Sequence, residues 1–178
     1  MDESVPFLSE QYFVYLAILV FARGLDFLST WIATPHMVLE GNPVARKLGW
    51  KWGTVVNLAL CLSFALFPLP ALIIATTSVL VAAHNLDGAW LMRTMGEEYY
   101  RAWISQQHLA TKPSLYLLCL ITKTVLWGAV GLGLLLFGNG SLVATGIGFG
   151  MVGYAAAVLV YSSISVWRLR RFNRNRSV

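Results

Sequence analysis

The chain has 178 residues, 57% hydrophobic and 12% charged, with mean hydropathy +0.66 and a formal net charge of +5. Soluble domains carry about 25% charged residues, so lipid must cover much of this surface. The length leaves no room for a sizeable soluble domain beside about four to six spans of roughly 20 residues each.

An all-α polytopic transmembrane helical bundle in a single domain, 1–178, is therefore expected. The N-terminal MDESVPFLSEQ is acidic and has no basic n-region, which argues against a secretory signal peptide. Apolar runs place five spans at about 11–34, 52–67, 71–92, 115–137 and 142–167, punctuated by Pro35, PLP and GNGS. A count of four would merge the second and third into a re-entrant hairpin about FPLPA. Together, however, they offer about 40 residues of apolar length, enough for two crossings. Arg46, Lys47 and Lys51 follow the first span, and Arg93, Arg101 and Lys112 follow the third. Five more arginines lie in the tail, 168–178, RLRRFNRNRSV. The N-terminus, PLP and GNGS carry no Lys or Arg. That asymmetry puts the N-terminus outside and the C-terminus in the cytoplasm.

The connection between the third and fourth spans is helix-like over about 94–108. Met95, Tyr99, Trp103 and Gln106 follow helical spacing, with Glu97, Glu98 and Arg101 turned elsewhere. Its Tyr and Trp suit the headgroup layer, so it reads as an interfacial amphipathic helix. The expected partners are the lipid bilayer and, at the arginine-rich tail, anionic lipid headgroups. A basic cluster next to a span argues against nucleic acid, and a homo-oligomer is left open. Cys61 and Cys119 fall in apolar runs and are expected to pack as small hydrophobes.

The unusual feature is a polar set inside the spans: Arg23, Asp26, Asn57, His84, Asn85, Asp87 and Lys123. Each charge at mid-membrane costs roughly 2.5–3.5 kcal/mol even on the lenient insertion scale, so it needs a partner or a cavity. Counted from the span ends, these residues lie at a shared depth, roughly 10–14 Å below the cytoplasmic surface. Arg23 with Asp26, and His84 with Asp87, are i,i+3 pairs on single helix faces. Ser29 and Thr30 continue the Asp26 face, and Thr54, Asn57 and Cys61 form a polar stripe on the second span. The balance of two acids and two bases predicts one occluded network of ion pairs around His84. Glu40, Gly41, Asn42 and Pro43 follow the first span as a turn-forming stretch that can fold back over the set or remain in water.

The residues LDFLST...EGNPVARKLG, within 25–49, resemble a motif of an uncharacterised family of small prokaryotic polytopic membrane proteins. That motif is an Asp, then Ser/Thr-Thr, then Glu-x-Asn-Pro, and Asp26, Ser29, Thr30, Glu40, Asn42 and Pro43 match it. The resemblance implies a prokaryotic plasma membrane and carries no known activity. HNLDGAW is similar to the start of the CDP-alcohol phosphotransferase motif. His84 stands where the first Asp belongs, Met92 replaces the Arg, and the later acids are missing. MGEEYYRAW is similar to a stretch of isoprenylcysteine and phospholipid methyltransferases, without their preceding Arg-His-Pro.

A metal on His84, Asp87, Asp26 and Glu40 would suit imidazole and carboxylate chemistry, but Arg23 and Lys123 would repel a dication, so none is expected. Gly-rich phosphate loops, Gly-x-Ser-x-Gly and His-Glu-x-x-His are absent, and no cofactor can be named. The glycines Gly146, Gly150 and Gly153 are spaced for close helix contact. The ligand-binding or proton-coupled candidates are thus Arg23, Asp26, Thr30, Glu40, Asn42, Asn57, His84, Asn85, Asp87 and Lys123. They suggest a buried site, open to the cytoplasm, that binds or transports a small polar solute or proton. The alternatives are an intramembrane enzyme on a lipid-like substrate, with Asp26, Glu40 or His84 as acid or base, and a structural partner subunit.

Overall fold

Six helices and no strand make up the described part of the chain in the computed structural model, which covers residues 4–40 and 43–174. They are α1 (Glu10–Ala33), α2 (Pro43–Phe64), α3 (Pro68–Met95), α4 (Glu97–Ala110), α5 (Pro113–Phe137) and α6 (Leu142–Arg174). Local chemistry sets several of these ends. The Ser9 side chain accepts a hydrogen bond from the Tyr12 amide and caps α1. Pro68 and Pro113 open α3 and α5, where a proline's missing N–H costs nothing. Gly96, at φ 79°, separates α3 from α4.

Four helices are long and apolar enough to cross a membrane: α1, α3, α5 and the 142–170 part of α6. The shortest of the four has 24 residues, about 36 Å at 1.5 Å per residue, against roughly 30 Å of hydrocarbon. Their outward faces confirm the solvent they need. Phe137 is 82% exposed, Leu136 75% and Trp90 68%, amid dozens of other exposed large apolar side chains. An apolar surface of this extent suits lipid and not water. α2 is different. Gly49, at φ 65° and ψ −175°, breaks it, which leaves 50–64 as its straight part, about 22 Å long.

Side-chain contacts give the helix directions. Along α1 and α3 the numbers rise together: Arg23 meets Ser78, Thr30 meets Asn85, and Thr34 meets Glu97. These two helices are parallel. Thr77 reaches the Gly150 carbonyl, and α6 runs with α3. Against α1, α2 descends: Tyr12 bonds the Leu62 carbonyl, Arg23 meets Asn57, and Trp50 bonds the Pro35 carbonyl. Gly131 lies against Gly148 and Trp127 against Tyr154, so α5 is antiparallel to α6. The main packing contacts run α1 to α3, α3 to α6 and α6 to α5.

Small residues make these contacts possible, as expected where lipid removes the hydrophobic drive between helices. Ala65, Ala71, Ala75 and Cys61 pack with Tyr12 and Leu19 in the core. A Cβ on Gly150 would lie 2.7 Å from Thr76 Cβ, and one on Gly131 would lie 2.8 Å from the Gly148 carbonyl oxygen. Gly146 also packs closely, against Leu72. Gly153 does not belong with them: a Cβ there would meet nothing within 4 Å, because α6 has turned that position away from its neighbours. Cys119, expected to pack, is exposed on α5, whereas Cys61 is buried.

Candidate functional site

The site is built on the C-terminal half of α1. Its wide i,i+3 spacing lets Arg23 turn back on Asp26, with Arg23 Nη1 2.7 Å from Asp26 Oδ2. The same nitrogen donates to Ser78 Oγ on α3 at 3.1 Å. Arg23 Nε donates to Asn57 Oδ1 on α2 at 2.7 Å, and Nη2 bonds that same oxygen. Asn57 is itself held by donating to the Gly53 carbonyl at 2.8 Å. One guanidinium thus ties three helices together through charge-assisted bonds. Asp26 and Arg23 are part-buried, with 15% and 27% of their side-chain surface exposed, so each greatly reduces the other's desolvation cost.

A second layer of polar contacts forms on the α1 backbone beside this pair. Ser29 Oγ and Thr30 Oγ1 both donate to the Asp26 carbonyl at 2.9 Å. Both hydroxyls then accept from Asn85 Nδ2, at 3.3 and 3.2 Å. Glu40, at the end of the loop after α1, lies close enough to Asp26 for their charges to interact. The loop stretch thus folds back toward the Asp26 layer. Asn42, with Gly41, lies outside the described residues, as do residues 175–178 of the arginine tail.

The expected single network is not what forms. Arg23, Asp26, Thr30, Asn57 and Asn85 come together between α1, α2 and α3. His84, Asp87 and Lys123 make a separate set on another face of α3, where Lys123 Nζ lies 3.4 Å from His84 Nδ1. Asp87 is near enough to His84 and Tyr154 to act on them electrostatically. The division has a geometric cause. Successive residues on a helix point about 100° apart, so Asn85 faces α1 while His84 points to the outer surface, where Lys123 of α5 reaches it. Lys123 consequently meets an imidazole where an acid was anticipated. His84, Asp87 and Lys123 are exposed on the bundle's outer surface.

Two residues escaped the sequence analysis. Ser78 lies seven residues before Asn85, on the same face of α3, a spacing that could have revealed it. Glu97, read there only as turned away from the Met95–Trp103 face of α4, reaches back to the loop after α1. Its carboxylate accepts from Thr34 Oγ1, from the His36 amide at 2.9 Å and from the Val38 amide at 3.0 Å. Burial pushes the Glu97 carboxyl up, but these three bonds and the nearby His36 outweigh it and hold the group below the usual carboxylate range. Trp50 Nε1 pins the same loop through the Pro35 carbonyl at 2.9 Å. Glu97 and Trp50 together fix the segment that delivers Glu40 to Asp26.

Two surface clefts flank this loop. One, of about 590 Å³, lies between the loop, the end of α3 and the start of α4. The other, of about 450 Å³, lies between the loop, the start of α2 and α4. Neither is lined by Arg23, Asp26 or His84.

An integral membrane protein is the class these helices define. No protein-family model matches the chain, and no curated protein or solved structure matches it either.

Proposed function

We propose that the protein binds or moves a proton or a small polar solute at Asp26, entered from the cytoplasmic side. The observation that carries this is the part-buried Arg23–Asp26 pair, tied to Asn57 and Ser78 within the helix bundle. A carboxylate held inside a membrane span is costly to keep charged. A proton or a singly charged cationic group neutralises it at least cost. Kinship with the small prokaryotic polytopic family, and a place in a prokaryotic plasma membrane, are part of this proposal and rest on the motif residues alone.

The topology proposed is five crossings, N-terminus outside and C-terminus cytoplasmic. Parallel α1 and α3 support it, because a chain that crosses twice in one direction must return between. The residues available for the return are those of α2, and its 50–64 segment runs from the Pro35 end of α1 to its Tyr12 end. Its short length is compensated by Trp50 and Tyr12, whose long side chains close the gap at either end. In this topology α4 lies in the cytoplasmic headgroup layer. It has no buried residue, and Tyr99 is exposed as a member of an interfacial belt would be.

Infrared difference spectroscopy of the reconstituted protein tests the site directly. A carboxylic-acid band that titrates with pH and disappears in Asp26→Asn supports it. Proton uptake by proteoliposomes under an imposed gradient should fall in the same variant. An unchanged spectrum and unchanged flux in Asp26→Asn would exclude the reading. A second reading, an intramembrane enzyme acting on a lipid-like substrate, is favoured by the outward exposure of His84, Asp87 and Lys123, which lipid can reach laterally. There Asp26→Asn would leave turnover intact and His84→Gln would abolish it.

A further inference from the structure

We propose that Arg46 and Arg101 form a phosphate-binding site in the 450 Å³ cleft beside the loop after α1. The site is separate from Asp26 and depends only on α1 and α3 crossing the membrane. Its parts come from three segments that meet nowhere else. The break at Gly49 turns the first residues of α2 away from 50–64 and sets Arg46 on one wall. Arg101, one turn into α4, stands on another, and His36 and Trp50 line the space between. The Trp50 indole is already held by the Pro35 carbonyl, so that wall is rigid.

The positive charge in this cleft is only partly offset within it. Arg46 and Arg101 are exposed, and among the described residues neither makes an ion pair with a carboxylate. Glu98 lines the same cleft, which leaves one positive charge over when His36 is neutral. Guanidinium is planar and presents paired donors that match two oxygens of a phosphate, a fit that an ammonium lacks. The cleft opens where the transmembrane helices end, at the level occupied by phospholipid phosphates. The ligand chemistry is therefore a singly charged phosphate, carried either by a lipid headgroup or by a soluble ester. Excess charge at the cytoplasmic boundary alone would not gather two arginines and an indole around one recess.

Equilibrium binding to the full-length protein in detergent separates the sources, with labelled phosphatidylglycerol as one probe and labelled inorganic phosphate as the other. Phosphatidylglycerol should bind saturably, and the Arg46→Gln, Arg101→Gln double variant should weaken it by about tenfold or more, the value of one charge-assisted hydrogen bond. Glu98→Gln should tighten it roughly two- to fivefold by removing an exposed like charge. All three residues are exposed, so the variants should fold, which their unfolding midpoints will show. Inorganic phosphate binding with the same arginine dependence would support the site and move the ligand into solution. Equal affinity in the double variant and the native protein, or no saturable binding of either probe, would overturn the proposal.

Discussion

Removing the Glu97 carboxylate should release the loop that carries Glu40. In Glu97→Ala three donors lose their acceptor: the Thr34 hydroxyl and the amides of His36 and Val38. A hydrogen bond to a charged group is worth about 1.5–3 kcal/mol. Thr34 is buried, with 4% of its surface exposed, and cannot turn to water, whereas His36 is exposed and its amide can. Counting Thr34 in full and the two amides in part gives a cost of about 2–4 kcal/mol for undocking the loop. Glu97→Gln keeps a neutral acceptor and should cost about half as much.

The pH dependence has a definite sign. Glu97 titrates below the ordinary carboxyl value of 4.5, so its contribution is complete above that value. It is lost as pH falls through the lowered value in the folded protein. Hydrogen–deuterium exchange of the 34–40 segment is the assay. Exchange should accelerate by about thirtyfold or more in Glu97→Ala at neutral pH, following the lower end of that cost. The native protein should reach the same state only well below pH 4.5. Protection of His36 and Val38 that is equal in the variant and the native protein would refute the latch.

Asp26→Asn leaves the part-buried Arg23 without its counter-charge but with its bonds to Asn57 and Ser78, and should destabilise the detergent-solubilised protein by about 1–3 kcal/mol; adding Arg23→Gln should recover part of this in a double-mutant cycle, and strict additivity would deny the pair. Gly150→Val places new atoms against Thr76 and the Ile73 carbonyl and should lower the unfolding midpoint sharply, while Gly153→Ala should leave it within experimental error. Topology reporters should be cytoplasmic in the 94–112 connection and external in the 138–141 turn; a cytoplasmic 138–141 turn would invert the site's entrance.

What the sequence determined by itself was the solvent. A chain with few charges and long apolar runs has no means of covering itself with polar groups, and membrane-crossing helices follow from that alone, although four of them, not the five expected, reach the necessary length. The charges inside those runs were legible for the same reason. Desolvation makes Arg23 and Asp26 too costly to be incidental, and their i,i+3 spacing already paired them. Local signals also marked the ends at Ser9, Pro68 and Pro113. Tertiary structure decided which polar residues meet. Asn85 and His84 are adjacent in the chain, yet one serves the Asp26 cluster and the other faces Lys123, because the helices on either side of α3 assign each face its partner. Periodicity turned Glu97 away from the Met95–Trp103 face, but could not direct it to a loop about sixty residues earlier whose amides it holds. Periodicity describes the faces of a single helix; it says nothing of which loop arrives at its first turn. Gly153 shares the spacing of Gly146 and Gly150 but packs against nothing, since contact depends on where neighbouring helices run and not on spacing within one of them.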